Sequence, residues 1–133
     1  MNAQEQSAPL MDKVRVYVYR YRQIYGIAIR PSIYCDGKDV ARIQSGRSVV
    51  LALTPGKHTL RSSDKQSQID LELRVGQQYY IRIDLGSASG RVTLVPPEQG
   101  AAEFKQVKSA DAKMIKDKTF LASDFVPEKA GER

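Results

Sequence analysis

Residues 53–60, Leu-Thr-Pro-Gly-Lys-His-Thr-Leu, contain a Gly-Lys followed closely by a Thr, the residue types that close a phosphate-binding P-loop. That chemistry needs an earlier glycine at fixed spacing, then Gly-Lys-Ser/Thr, then a helix whose N-terminal amides receive the phosphates. Here Lys57 is followed by His58, no glycine stands upstream at the required spacing, and the residues after His58 alternate like a strand. A turn explains each residue instead. Pro55 supplies φ near −65° at the second position and Gly56 takes positive φ at the third.

The other reactive side chains divide in the same way. His58 is the only histidine, and a general base needs a positioned partner and a nucleophile. No Gly-x-Ser-x-Gly elbow is present, so His58 is expected at a turn or sheet edge and no catalytic residue is assigned. Cys35 is the only cysteine, which rules out an intramolecular disulfide, and with a single histidine the usual zinc spacings fail. Neither a metal site nor a cofactor is expected, and Cys35, in a strand-like run, reads as a small buried hydrophobe. Asp70 and Glu72 share a strand face, as charges on any one-sided sheet do. Asp36-Gly37-Lys38-Asp39 lacks the later ligands of a calcium loop and reads as a turn.

The strongest candidate surface is Tyr17 to Arg30. Its Arg and Tyr residues interleave, and Arg20, Tyr21, Arg22, Tyr25 and Arg30 are the candidate ligand-binding set. Such a mixture can stack on bases or sugars and clamp phosphates or carboxylates. The plainer alternative is a Tyr/Arg solvent face at a strand end.

The elements that must position these residues are read from periodicity. Val14, Val16 and Val18 share one face of a strand, and Arg15, Tyr17 and Tyr19 the other. Further alternating runs occupy 32–35, 38–43, 47–53, 58–63, 67–75, 78–85 and 91–95, separated by Asp36-Gly37, Ser45-Gly46, Pro55-Gly56, Gly76-Gln77 and the glycine- and serine-rich stretch 86–90. Strands at roughly ten-residue spacing predict a mainly β fold, an antiparallel β-sandwich of about seven or eight strands. Alternation stops at Pro96-Pro97, where a short C-terminal helix is expected over Glu98–Val107 and a second near Ala110–Lys118. The chain then divides into a flexible N-terminal segment at 1–12, a sandwich domain at 13–107 and a partly helical C-terminal tail at 108–133.

The chain has 133 residues, 41% of them hydrophobic and 27% charged, which suits one globular core and excludes a wholly disordered protein. A net charge of +6 permits attraction to nucleic acid, anionic lipid or acidic polymers, although the basic residues are scattered. No apolar run approaches the ~20 residues that cross a bilayer as a helix. The polar start, Met-Asn-Ala-Gln-Glu-Gln-Ser-Ala-Pro-Leu, carries no leader of its own and reads as a mature exported protein after signal removal, in periplasm or cell envelope; a cytoplasmic tail would read the same way.

Three motifs occur in order: a strand ending in Asp36-Gly37-Lys38, a Pro-Gly-x-His turn at Pro55, Gly56 and His58, and a Gly-x-x-Tyr-Tyr-x-Arg strand at Gly76, Tyr79, Tyr80 and Arg82. From Lys13 to Val107 the chain resembles the bacterial domain-of-unknown-function family 2846, with weaker similarity to PEGA-type envelope domains. The resemblance implies a small β-domain, exported or lipid-anchored, with no catalytic residues to carry over. Cys35 stands where such strands commonly carry an aliphatic residue. The expected function is a non-enzymatic, envelope-associated binding or structural domain, whose partner would be an envelope protein or anionic polymer. The alternative is a nucleic-acid or anionic-polymer binder using the Tyr/Arg segment, and an enzyme of unknown type ranks third.

Overall fold

The computed structural model describes residues 13–23, 29–63, 67–85 and 90–128. The N-terminal segment at 1–12, residues 24–28 with Tyr25, the stretches 64–66 and 86–89, and residues 129–133 lie outside the described residues.

Nine strands form two sheets among the described residues. They are β1 (Val14–Tyr19), β2 (Ser32–Cys35), β3 (Lys38–Arg42), β4 (Arg47–Leu53), β5 (Gly56–Ser62), β6 (Gln68–Leu73), β7 (Tyr79–Leu85), β8 (Gly90–Val95) and β9 (Lys108–Ser109). The first sheet runs β8-β7-β1-β4-β9 and the second β3-β2-β5-β6. The expected turns close them. Asp36 and Gly37 both take positive φ, 52° and 83°, between β2 and β3, and Gly56 takes φ 113° after Pro55, where the chain crosses from one sheet to the other.

The sandwich is not wholly antiparallel, in contrast to the expectation. β1 pairs antiparallel with β4 but parallel with β7, Val16 opposite Tyr79, and β9 pairs parallel with β4. Alternation reports which face a side chain occupies and is silent on the direction of the neighbouring strand.

The main core lies between the sheets. Val14, Val16 and Val18 of β1 meet Leu51, Leu60 and Ile81, all at most 2% exposed. The opposite face of the first sheet is covered by α1 (Pro97–Phe104), so that Tyr19, Tyr80 and Val95 form a second cluster with Tyr17 and Phe104. Tyr17 stacks on Tyr80 with ring centroids 4.7 Å apart, and Phe104 meets Tyr17 edge-on at 5.0 Å. Gly100, which weakens a helix in isolation, is the residue that permits this approach. A Cβ there would stand 2.3 Å from the Tyr80 Cβ.

The segment expected as a tail is bound to the sandwich as far as Glu128. Ala110 donates its N–H to the Ser48 carbonyl, Lys116 to that of Val40 and Ala122 to that of Val50. These contacts close the β4 edge of one sheet and the β3 edge of the other. The second expected helix, Ala110–Lys118, is absent for the same reason. The stretch is extended with 3-10 turns at Ala112–Met114 and Lys118–Phe120, because Ile115 and Leu121 must bridge to Ala41 and Leu51, and edge pairing outweighs helix propensity. On the other side the Ser62 hydroxyl donates to the Gly90 carbonyl and Val92 donates to Ser67 Oγ at 2.8 Å, joining β5 and β6 to β8.

Gly100→Ala is expected to lift α1 from Tyr80 and lower stability by about 1–3 kcal/mol. Urea denaturation should show the loss, and near-ultraviolet circular dichroism should report a changed tyrosine environment.

Candidate functional site

Two polar clusters draw on the motif residues. The first lies beneath α1. Arg82 of β7 points to the helix side of the sheet, and its Nη1 donates to both oxygens of Glu103, at 3.0 and 3.2 Å. The Tyr19 hydroxyl donates to Glu103 Oε1 and Gln99 Nε2 to Oε2, while Arg82 Nε donates to Asp84 at 2.9 Å. Tyr21 also hydrogen-bonds Glu103, and the Arg82 guanidinium lies 5.8 Å from the Tyr21 ring centre. Burial by itself would raise the Glu103 carboxyl, but the donors from Tyr19, Tyr21, Gln99 and Arg82 outweigh it and hold it down at about 2. The same burial, reinforced by Glu103, raises Tyr19, so its proton stays in place. The cluster is saturated and welds α1 to the sheet.

The second cluster joins two turns. Asp36 Oδ1 accepts the Thr59 amide at 2.9 Å, and Asp36 donates its own N–H to the Thr59 carbonyl. Asp36 Oδ2 lies 2.6 Å from His58 Nδ1, and the His58 Nε2 lies 2.8 Å from the Thr54 carbonyl and 3.2 Å from Thr54 Oγ1. Cys35 Sγ lies 3.8 Å from Asp36 Oδ2. Burial of Asp36 works against its charge, yet the Thr59 amide and the His58 ring hold its carboxyl below the usual range. Burial and the Asp36 charge push the Cys35 thiol up to about 12.

Asp36, His58 and Thr54 stand in the order of a carboxylate, imidazole and hydroxyl triad. The contacts oppose that use. A carbonyl only accepts, so the nearer partner of Nε2 requires Nε2 to carry a proton, and it has no lone pair for the Thr54 hydroxyl. Cys35 is no better served as a nucleophile, since it faces the carboxylate and is fully buried.

The structure describes four members of the candidate binding set and turns one of them, Arg20, inward. Arg20 is fully buried, its Nη1 donating to the carbonyls of Ile29 and Ile43 at 2.6 and 3.1 Å. It closes the end of β1 and does not face a ligand. Tyr21 is partly buried against Glu103, Arg22 and Arg30 are exposed, and Tyr25 lies outside the described residues. Sequence reasoning missed Glu103, which no motif marks. Arg82, Asp36 and His58 were visible as motif residues, but not their partners.

Because Glu103 is depressed from its ordinary 4.5 to about 2, it stabilises the fold fully above pH about 4.5 and loses this as pH falls towards 2. Glu103→Gln is expected to cost about 2 kcal/mol at pH 7, where Arg82 loses a charged partner, and to flatten the stability profile between pH 4.5 and 2. Urea midpoints measured at pH 7 and pH 3 for both proteins test this; parallel profiles would contradict it.

No curated protein and no solved structure matches the chain. A family model described as protein of unknown function (DUF2846) matches residues 11–96, which include β1 to β8 and all three motifs and end just before α1. That is well over half of the sequence, so the chain belongs to the DUF2846 family of proteins of unknown function.

Proposed function

We propose that this chain is a non-enzymatic β-domain of the cell envelope that binds or braces another envelope component. The observation that carries the reading is how the reactive side chains are used: Asp36 and His58 tie one turn to the next, Glu103 ties helix to sheet, and Cys35 is buried. Among the described residues Asp36, His58 and Glu103 are each engaged by protein partners, and the side chains within each cluster converge on one another. Its envelope placement rests on the resemblance of the three motifs to exported β-domains. Fractionation of cells expressing the native gene is expected to recover the chain with the envelope; recovery only in the cytosol would overturn the placement.

A second reading has one specific support. Arg22 and Arg30 are exposed on a chain of net charge +6, as a binder of nucleic acid or another anionic polymer requires. Under that reading, binding to DNA or heparin falls steeply between about 50 and 200 mM salt as counterions are released, and Arg22→Ser with Arg30→Ser weakens it at least about tenfold. Absent or salt-insensitive binding removes this reading and leaves the first.

A further inference from the structure

The fold brings together three metal-type donors whose spacing in the chain matches no usual metal motif. Cys35 Sγ, an Asp36 carboxylate oxygen and a His58 ring nitrogen all lie within 4.8 Å of one another. We propose that Cys35, Asp36 and His58 bind one divalent transition-metal ion of the zinc class.

The donor set selects the ion. Thiolate and imidazole suit zinc and its neighbours, whereas calcium and magnesium take oxygen ligands. Three protein ligands leave a fourth, tetrahedral position for water. Metal bonds of ~2.0–2.1 Å to nitrogen and oxygen and ~2.3 Å to sulfur place tetrahedral donors about 3.3–3.5 Å apart. The present separations are 2.6 Å between His58 Nδ1 and Asp36 Oδ2 and 3.8 Å between Cys35 Sγ and Asp36 Oδ2. The third pair, Cys35 Sγ and the His58 ring nitrogen, lies within 4.8 Å. Forming the site therefore opens the His–Asp contact by about 0.7–0.9 Å and draws the Cys35 and His58 donors together by up to about 1.5 Å.

The independent observation is the way the donors are already oriented. A metal-bound histidine characteristically donates its other ring N–H to a carbonyl or carboxylate, which fixes the tautomer and aims the lone pair at the ion. His58 Nε2 meets the Thr54 carbonyl at 2.8 Å in this way, so Nδ1 is the nitrogen aimed at Asp36. Asp36 is similarly held by one oxygen, Oδ1 on the Thr59 amide, with Oδ2 turned to the cluster. Access is on the Asp36 side, where its side chain is 43% exposed, while Cys35 forms the closed floor.

The balance of charge is simple. Without metal, a proton lies between Nδ1 and Oδ2 and another sits on the Cys35 thiol. Binding of M²⁺ releases both protons to solvent and displaces water from the ion, leaving thiolate, imidazole and carboxylate as ligands.

Titration of the full chain with Co²⁺, followed by Zn²⁺, tests the proposal. The expected result is one equivalent of Co²⁺ producing a thiolate-to-cobalt charge-transfer band and intense visible bands of tetrahedral Co²⁺, both erased by one equivalent of Zn²⁺. Because Cys35 is the only cysteine, the charge-transfer band of the unsubstituted chain reports this site even if a variant fails to fold. Zn²⁺ at a hundredfold excess over Kd should raise Tm by about 5–10 °C. Cys35→Ala should abolish the charge-transfer band, and His58→Gln should weaken binding at least about tenfold. Absence of the band in the unsubstituted chain overturns the proposal, as does a Tm shift that persists unchanged in Cys35→Ala and His58→Gln.

Discussion

β1, at the centre of the first sheet, carries apolar or aromatic side chains on both faces, and covering both is the requirement on which the rest of the molecule depends. Its inward valines, Val14, Val16 and Val18, are buried by the second sheet, while Tyr17 and Tyr19 on the other face need a separate cover. That cover is α1, which contributes few apolar side chains of its own. Phe104 and Ala101 supply the packing, and Glu103 supplies a charge that only the Arg82 guanidinium and neighbouring donors make tolerable under the helix. The Arg82–Glu103 pair is thus the counterpart, on the outer face, of the apolar contact on the inner one.

The same economy governs the sheet edges. β4 and β3 would present unpaired N–H and C=O groups along one side of the sandwich, and residues 108–128 satisfy them with single bridges separated by short 3-10 turns. On the opposite side two serine hydroxyls, from Ser62 and Ser67, fill the same role at β8. Both seams join the two sheets, which makes the C-terminal segment part of the domain. Ser48, Ser62 and Ser67 at these seams and Glu103 beneath α1 are each hydrogen-bonded within the fold.

Strand positions were legible because one-sided burial writes a period of two into the chain. Asp36-Gly37 and Pro55-Gly56 were legible because positive φ restricts the residue types at a turn. Strand direction was not, since Val16 and Ile81 face the core whether β1 and β7 run parallel or antiparallel. The helix at Pro97–Phe104 was visible from its prolines and Glu98, but the 3-10 segments after it were hidden. Their conformation is imposed by the edges of β3 and β4, which no local pattern in residues 108–128 encodes. Arg20 misled for a related reason. An arginine after a tyrosine-rich strand has the composition of a binding surface, and only the returning backbone at Ile29 and Ile43 turns it inward.

The three motifs also take on a different meaning once folded. Asp-Gly-Lys and Pro-Gly-x-His read as two independent turns, each common alone. In the structure the Asp36 carboxylate spans them, one oxygen on the Thr59 amide and the other on the His58 ring, while the His58 ring reaches back to Thr54 before its own turn. An aspartate at positive φ is tolerated for its short polar side chain, and here that side chain has a second occupation across the sheet. The turns are therefore two halves of one contact, whose register depends on β2 and β5 pairing with Cys35 opposite Leu60. This pairing also sets Cys35 beside the Asp36–His58 contact. A cysteine there is sterically a small core residue, but chemically it converts a carboxylate–imidazole clip into a set of three different donors.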